Sequence, residues 1–325
     1  MRRAMSLRAA AVVAPALTVA LSLTLTACSG SPGATPAADA KTNAAAHPKP
    51  APTHSLSPYV ALGDSYTSGP GIPDQIGQPS GCDRSSRDYP ALVAASLRLT
   101  APQVHDVSCS GATIADLSAS QSTNSGTNPA QISALSSTTG LVTLGIGGND
   151  VDFAGVLTRC VERDMLRALV DSSSGLAPCR SYYTSGGVDQ IRQKIQAAAD
   201  SLSAALAQIK QRAPNARVYV IGYPALVPPS GTSCAHTLGI TQGDVAFLHD
   251  EELRLNSMLK QSAETAGAVY VDTYTPSAGH DACSASAARW IEPLIPASPA
   301  VPLHPNARGE QGMADAVVSA IRTSA

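Results

Sequence analysis

A serine behind an apolar run, two glycine-centred turns, an asparagine and a late histidine stand in fixed order along 325 residues. They fall in the blocks Gly63-Asp64-Ser65, Ser110-Gly111, Gly147-Gly148-Asn149-Asp150 and His304-Pro305-Asn306. A serine hydroxyl is a weak nucleophile at its own pKa and needs an adjacent base. Imidazole titrates near neutrality, so it can take the serine proton and return it to a leaving group. Ser65 is therefore the candidate nucleophile and His304 the candidate base. The N–H groups of Ser65 and Gly111 and the side-chain amide of Asn149 could converge on a carbonyl oxygen as it gains charge, forming an oxyanion hole. Asp64 reads as a residue that hydrogen-bonds its own turn, and Asp150 as one that steadies the helix start after Gly148. Among the other histidines, His47, His54, His105, His236 and His249 lack a motif around them. His280, after Gly279, is the rival base; only His304 precedes an Asn that opens a closing helix.

These groups can meet only if strands and helices carry them to one place. Apolar runs predict strands over Tyr59–Gly63, Val104–Cys109, Leu141–Ile146, Val218–Tyr223 and Ala268–Asp272. Apolar residues at three- and four-residue spacing predict helices over Tyr89–Leu99, Val188–Ala213, Asp244–Ala266 and Asn306–Arg322. Strands separated by helices argue for an α/β fold with a parallel sheet covered on both faces. In such a sheet the ligand site lies beyond the carboxyl ends of the strands. Ser65, Gly111 and Asn149 each follow one of the first three predicted strands. A G-x-S-x-G elbow is absent, since Thr67 stands two residues after Ser65, which excludes the α/β-hydrolase signature. No internal repeat is visible, and no phosphate-cradling glycine loop with its lysine occurs.

The chain resembles the SGNH (GDSL-type) serine hydrolases, in particular their secreted actinobacterial lipase and esterase branch. The matching residues are Ser65 within Val60-Ala-Leu-Gly-Asp-Ser-Tyr66, Gly111 within Cys109-Ser-Gly-Ala112, Asn149 within Gly147-Gly-Asn-Asp150 and His304 within Leu303-His-Pro-Asn306. Ile221-Gly-Tyr-Pro224 and the stretch from Val271-Asp272 through Gly279-His280 and Cys283 to Trp290 also match. The likeness runs roughly from residue 57 to 322. It implies a three-layer α/β/α, flavodoxin-like architecture around a central parallel sheet of five strands, and hydrolysis of carboxylic esters through an acyl-serine, with no cofactor or metal. One position departs from the family pattern: the aspartate usual three residues before the histidine is Val301. The resemblance permits a Ser-His dyad whose histidine is oriented by a backbone carbonyl, expected at Val301. The competing expectation is an acid from elsewhere, Asp281 or Glu292.

The first residues read as an export signal. Arg2, Arg3 and Arg8 give a basic start, Ala9 to Leu25 an apolar run, and Leu25-Thr-Ala-Cys28 a small-residue cleavage site that also resembles a lipobox. Residues 1–27 are thus expected to be a lipoprotein-type signal peptide and Cys28 a lipidated terminus, the alternative being ordinary secretion. Residues 28–57, rich in Ala, Pro, Ser and Thr, are expected to be a flexible tether, and 58–325 the catalytic domain. Beyond Cys28 the six cysteines are an even number in an exported chain, with no CxxC spacing for zinc. The resemblance implies the sequential bridges Cys82–Cys109, Cys160–Cys179 and Cys234–Cys283. Without the three leader arginines the basic count falls from 22 to 19 against 24 acidic residues, a charge near −5 that argues against nucleic acid. The expected partners are an ester substrate and, through the anchor, the membrane, with the chain acting as a monomer at the cell surface or outside the cell. One Trp and two Phe make no sugar-stacking platform, while apolar residues in 222–229 and 290–302 suit the walls of an acyl site. A fatty-acyl esterase is the favoured reading. A carbohydrate or cell-wall O-acetylesterase is the alternative, and a disabled, lipid-anchored binding protein is the alternative of another class.

Overall fold

The computed structural model describes residues 55–169, 177–230 and 232–324. The expected leader, Cys28 and the tether as far as residue 54 lie outside the described residues. Five strands form the central sheet: β1 (Tyr59–Gly63), β2 (Val104–Asp106), β3 (Leu141–Gly145), β4 (Arg217–Ile221) and β5 (Val269–Val271). They lie in the order β2-β1-β3-β4-β5, and every neighbouring pair is parallel. Nine helices accompany them among the described residues: α1 (Ser65–Ser68), α2 (Tyr89–Ser96), α3 (Gly148–Val151), α4 (Phe153–Ala168), α5 (Pro178–Tyr183), α6 (Gln190–Arg212), α7 (Thr232–Leu238), α8 (Gln242–Thr265) and α9 (Ala307–Thr323). None is long and apolar enough to cross a membrane.

Strand pleating sorts the side chains into two cores. Val60, Leu62, Val142, Leu144 and Val220 pack with residues of α6 and α8. Tyr59, Ala61, Leu141, Tyr219 and Ile221 pack with residues of α2 and α9 on the other face. The result is three layers, α/β/α. Tertiary burial outweighs local signals here. Asp189 caps α6 by accepting from the Arg192 N–H, worth about 1 kcal/mol. The buried row Ile191, Ile195, Leu202, Leu206 and Ile209 on the same helix contributes roughly 1.5–3 kcal/mol for each residue taken from water.

Strand β2 is shorter than its apolar pattern predicts. The Asp106 carboxylate accepts from both the N–H and the hydroxyl of Ser108, at 3.0 and 2.7 Å, a local turn at which the regular strand ends, while the Val107 and Cys109 N–H groups still bond the Ala61 and Gly63 carbonyls of β1. Of the helices outside the expected set α4 is the longest, and it buries Val156, Leu157 and Cys160 along one face. The cysteines are joined Cys82 to Cys109, Cys160 to Cys179 and Cys234 to Cys283. Because all five strands point the same way, the turns into α1 and α3 open on a single edge of the sheet, and Ser65 and Asn149 stand there together.

Candidate active site

The turn from β1 into α1 is built on close contacts. A Cβ at Gly63 would stand 2.1 Å from the Thr67 hydroxyl and 2.6 Å from the Gly145 carbonyl, so only glycine fits between β1 and β3. Gln131 clamps the same residue from the side, accepting its N–H at 2.8 Å and donating to its carbonyl at 2.9 Å. Asp64 then caps α1 by accepting the Tyr66 N–H at 2.9 Å, in keeping with its expected local role. Ser65 is thereby placed as the first residue of the helix.

His304 meets it. Its Nε2 lies 2.7 Å from the Ser65 hydroxyl oxygen, and its Nδ1 lies 2.7 Å from the Pro302 carbonyl. A carbonyl only accepts, so Nδ1 carries the ring hydrogen and Nε2 offers its lone pair to the serine hydroxyl. Burial lowers the histidine's pKa while the Pro302 hydrogen bond pulls it back up, with a net shift downward. The imidazole is thus held neutral, in the tautomer that can accept a proton.

The orienting carbonyl is that of Pro302, a correction to the expectation at Val301. The Val301 carbonyl accepts the backbone N–H of His304 at 3.3 Å, closing a tight turn, and so is not directed at the ring. Leu303, with φ 64, supplies the left-handed twist within that turn. Its carbonyl accepts from the Tyr66 hydroxyl at 2.5 Å, which ties the histidine loop to α1. Neither expected acid touches the imidazole. Asp281 accepts the Cys283 N–H at 2.8 Å. Glu292, fully buried, accepts from the Asn306 side-chain amide and the Ala297 N–H, and its own backbone bonds flank the loop, to His304 on one side and Leu303 on the other. Burial would raise its pKa, but these hydrogen bonds outweigh it and the net shift is downward. The rival His280 is elsewhere, stacked on Trp290 with Nδ1 on the Ala288 carbonyl.

Asn149 is the second residue of α3, and Gly147, with φ 119, holds the cap position. Its side-chain amide donates to the Ala112 carbonyl at 2.9 Å, which fixes its orientation and leaves a second amide hydrogen. Asp150 reaches further than expected. Its carboxylate accepts the Ile114 N–H, so it joins α3 to the Gly111 loop as well as standing in the first turn. Gly111 adopts φ 77 in that loop, between the Cys82–Cys109 bridge and Ala112. It is exposed and is not among the residues that line the cavity beside Ser65.

Tyr223 joins these parts, a role that the residue pattern does not single out. Its hydroxyl donates to Asp64 at 2.5 Å and accepts the Gly148 N–H at 2.8 Å, linking the serine turn to the asparagine turn. The Ile221-Gly-Tyr-Pro224 block is the signal that could have found it. Burial pushes the Asp64 pKa up to about 7, against the hydrogen bonds from Tyr223 and Tyr66.

A cavity of about 70 Å³ opens beside Ser65, Asn149 and His304, walled by Phe153, Ala154, Leu226, Leu255 and Leu303, with Glu252 also lining it. Of the two stretches expected to form its walls, 222–229 supplies Tyr223 and Leu226. The stretch 290–302 supplies none; its Ala297 and Ser298 N–H groups are turned inward onto Glu292. The unexpected helix α4 takes its place.

The GDSL-like lipase/acylhydrolase family model matches residues 61–311. Lipase 2 of Streptomyces coelicolor is 39% identical over 276 residues, covering 84% of this chain and 89% of that protein. The crystal structure of a phospholipase A1 from Streptomyces albidoflavus superposes with a TM-score of 0.65 at 30% identity, over 83% of this chain and 100% of that one. An extracellular lipase from Streptomyces rimosus does so with a TM-score of 0.65 at 31% identity, over 81% of this chain and 98% of that one.

Proposed function

The chain belongs to the GDSL-like lipase/acylhydrolase family and is a carboxylic ester hydrolase, and from that premise we propose that it cleaves fatty-acyl esters through an acyl intermediate on Ser65. The observation that carries this reading is the 2.7 Å contact between Ser65 and an imidazole whose far nitrogen is already bonded to a carbonyl. In the first step the Ser65 hydroxyl passes its proton to His304 Nε2 as its oxygen attacks the ester carbonyl. The carbonyl oxygen becomes an oxyanion, which the Ser65 N–H, the Gly111 N–H and the remaining Asn149 amide hydrogen would stabilise. Collapse expels the alcohol, which takes the proton from Nε2. Water then enters, gives a proton to the same nitrogen and releases the acid by the reverse sequence. The Pro302 carbonyl steadies the imidazolium through each transfer, in the place of a carboxylate.

The apolar walls beside Ser65 support an acyl chain as the group held there. All groups in this scheme come from one chain, in keeping with action as a monomer. The signal-like first residues and the lipobox-like Cys28 support a protein exported and anchored by lipid to the outer face of the membrane. The test is covalent labelling by a fluorophosphonate, followed by peptide mapping. The label is expected on Ser65 alone, with ester hydrolysis lost in Ser65→Ala while the domain stays folded. Retention of more than a few per cent of turnover by that variant would refute the nucleophile.

A further inference from the structure

The cavity beside Ser65 contains one group that the mechanism does not use. Glu252 lines it from α8, one turn before Leu255, and is only 2% exposed. Its Oε1 accepts the Leu226 N–H at 2.8 Å, whereas Oε2 is buried with no hydrogen-bond partner. A buried carboxyl is ordinarily matched by a cation or by a full set of donors. Among the described residues no cation pairs with Glu252 and no hydrogen bond reaches Oε2, so the cavity holds unspent hydrogen-bonding capacity in an otherwise apolar wall of Phe153, Leu226, Leu255 and Leu303.

Resting on the reading of this cavity as the acyl site, we propose that Glu252 is a specificity residue whose Oε2 pairs with an oxygen on the bound acyl chain. The favoured substrates are accordingly esters of oxo- or hydroxy-acids over plain alkanoates of the same length. Burial favours the neutral acid, raising its pKa well above the usual carboxyl range. The nearby Leu226 and Val227 N–H groups oppose this shift, and Asp281 adds to it. In that form Oε2–H is a donor, so it calls for an oxygen acceptor and rejects an ammonium group. A hydrocarbon tail would leave the hydroxyl buried and unmatched, while a keto or hydroxyl oxygen at the right carbon would satisfy it. The same physics makes a site that hydrogen-bonds a substrate group discriminate against analogues lacking it.

The test compares kcat/KM for p-nitrophenyl hexanoate with its 4-oxo and 5-oxo analogues and with 6-aminohexanoate, on the mature full chain. The wild type is expected to favour at least one oxo ester about three- to tenfold, the worth of one neutral hydrogen bond. Glu252→Gln keeps an acceptor for the Leu226 N–H and a donor for the substrate, so it should keep the preference. Glu252→Met should erase it. If Glu252 only braces the Leu226 loop, each variant would change both esters equally, leaving the ratio unmoved and overturning the proposal. A wild-type ratio near one at both oxo positions, or a preference for the amino ester, would overturn it too. The wild-type ratios decide the matter even if the Met variant does not fold. Efficient hydrolysis of hexanoate without an oxo preference defeats this proposal alone. Failure to hydrolyse hexanoate or to react with the fluorophosphonate defeats the fatty-acyl reading along with it.

Discussion

At the scale of single residues, a histidine served by a carbonyl behaves differently from one served by a carboxylate. A neighbouring negative charge raises an imidazole pKa, whereas a neutral carbonyl in a buried site leaves desolvation in command. Burial does lower His304. The neutral ring is the working form, so kcat/KM should be full above its folded pKa and fall as pH drops through it. That acid limb is expected below the ordinary 6.5; a limb above it in a pH–rate profile would argue for a hidden carboxylate partner. Consistent with a dyad, Asp281→Asn should cost less than roughly tenfold in turnover, against about 10⁴ for neutralising a triad aspartate. A loss equal to that of His304→Ala in a folded Asp281→Asn protein would make Asp281 the third member. Asn149→Ala should lower kcat by roughly 10²–10³ with KM little changed, because the contact strengthens as the oxyanion forms. Steady-state kinetics showing a rise in KM alone would instead make Asn149 a ground-state binding residue.

At the scale of elements, the site is held by bonds that run between loops. Tyr223, after β4, bridges the turn of α1 and the start of α3 through Asp64 and Gly148. Tyr223→Phe keeps the ring and removes the hydroxyl, stranding the Gly148 N–H and one Asp64 oxygen. Leaving such a group unsatisfied costs about 1–3 kcal/mol, so denaturant unfolding should show a loss of that order with a fall in kcat. Unchanged stability and turnover would mean that water replaces the hydroxyl and that the bridge is dispensable. Glu292 acts on the histidine loop in the same manner, gathering Asn306, Ala297 and Ser298 around one buried carboxylate.

At the scale of the whole molecule, buried acids set the response to pH. Burial is the leading cause that raises Asp64, Asp164 and Glu251 to about 7 each, and it lifts Glu252 and Glu310 well above the usual range. The folded state holds these protons more tightly than the unfolded chain. Their contribution is therefore complete below the ordinary carboxyl values of 3.8 and 4.5; for Asp64, Asp164 and Glu251 it is lost as pH rises through about 7, and for Glu252 and Glu310 as pH rises through their own raised values. Glu292 and His304, both lowered, work in the opposite sense and lose their contribution as pH falls. With the raised acids in the majority, Tm should fall between pH 5 and pH 8. A Tm that rises across that interval in a thermal scan would show these acids to be hydrated and ionised. The anchoring reading is tested at this scale as well: Cys28→Ser should move activity from the membrane fraction to the medium, and an unchanged distribution would favour plain secretion.

The alternation of apolar runs was enough to determine a parallel α/β domain, and the order of the four polar blocks to single out Ser65 and His304. These features are local or periodic, and pleating and helix pitch convert them directly into position. The amphipathic spacing of Phe153, Val156, Leu157 and Cys160 was also present in the sequence, although α4 lay outside the predicted set. Three matters rested with the tertiary structure. The carbonyl behind His304 is that of Pro302, because the backbone conformation at Leu303 and the claim of the His304 N–H on Val301 decide which oxygen faces the ring. The bridging role of Tyr223 depends on a bond between residues 159 positions apart. Glu252 lies in the middle of a long amphipathic helix, where its residue type suggests a solvated face. Only the packing of α8 against the Leu226 loop brings that carboxyl out of water and into the lining of the cavity that Ser65 also lines.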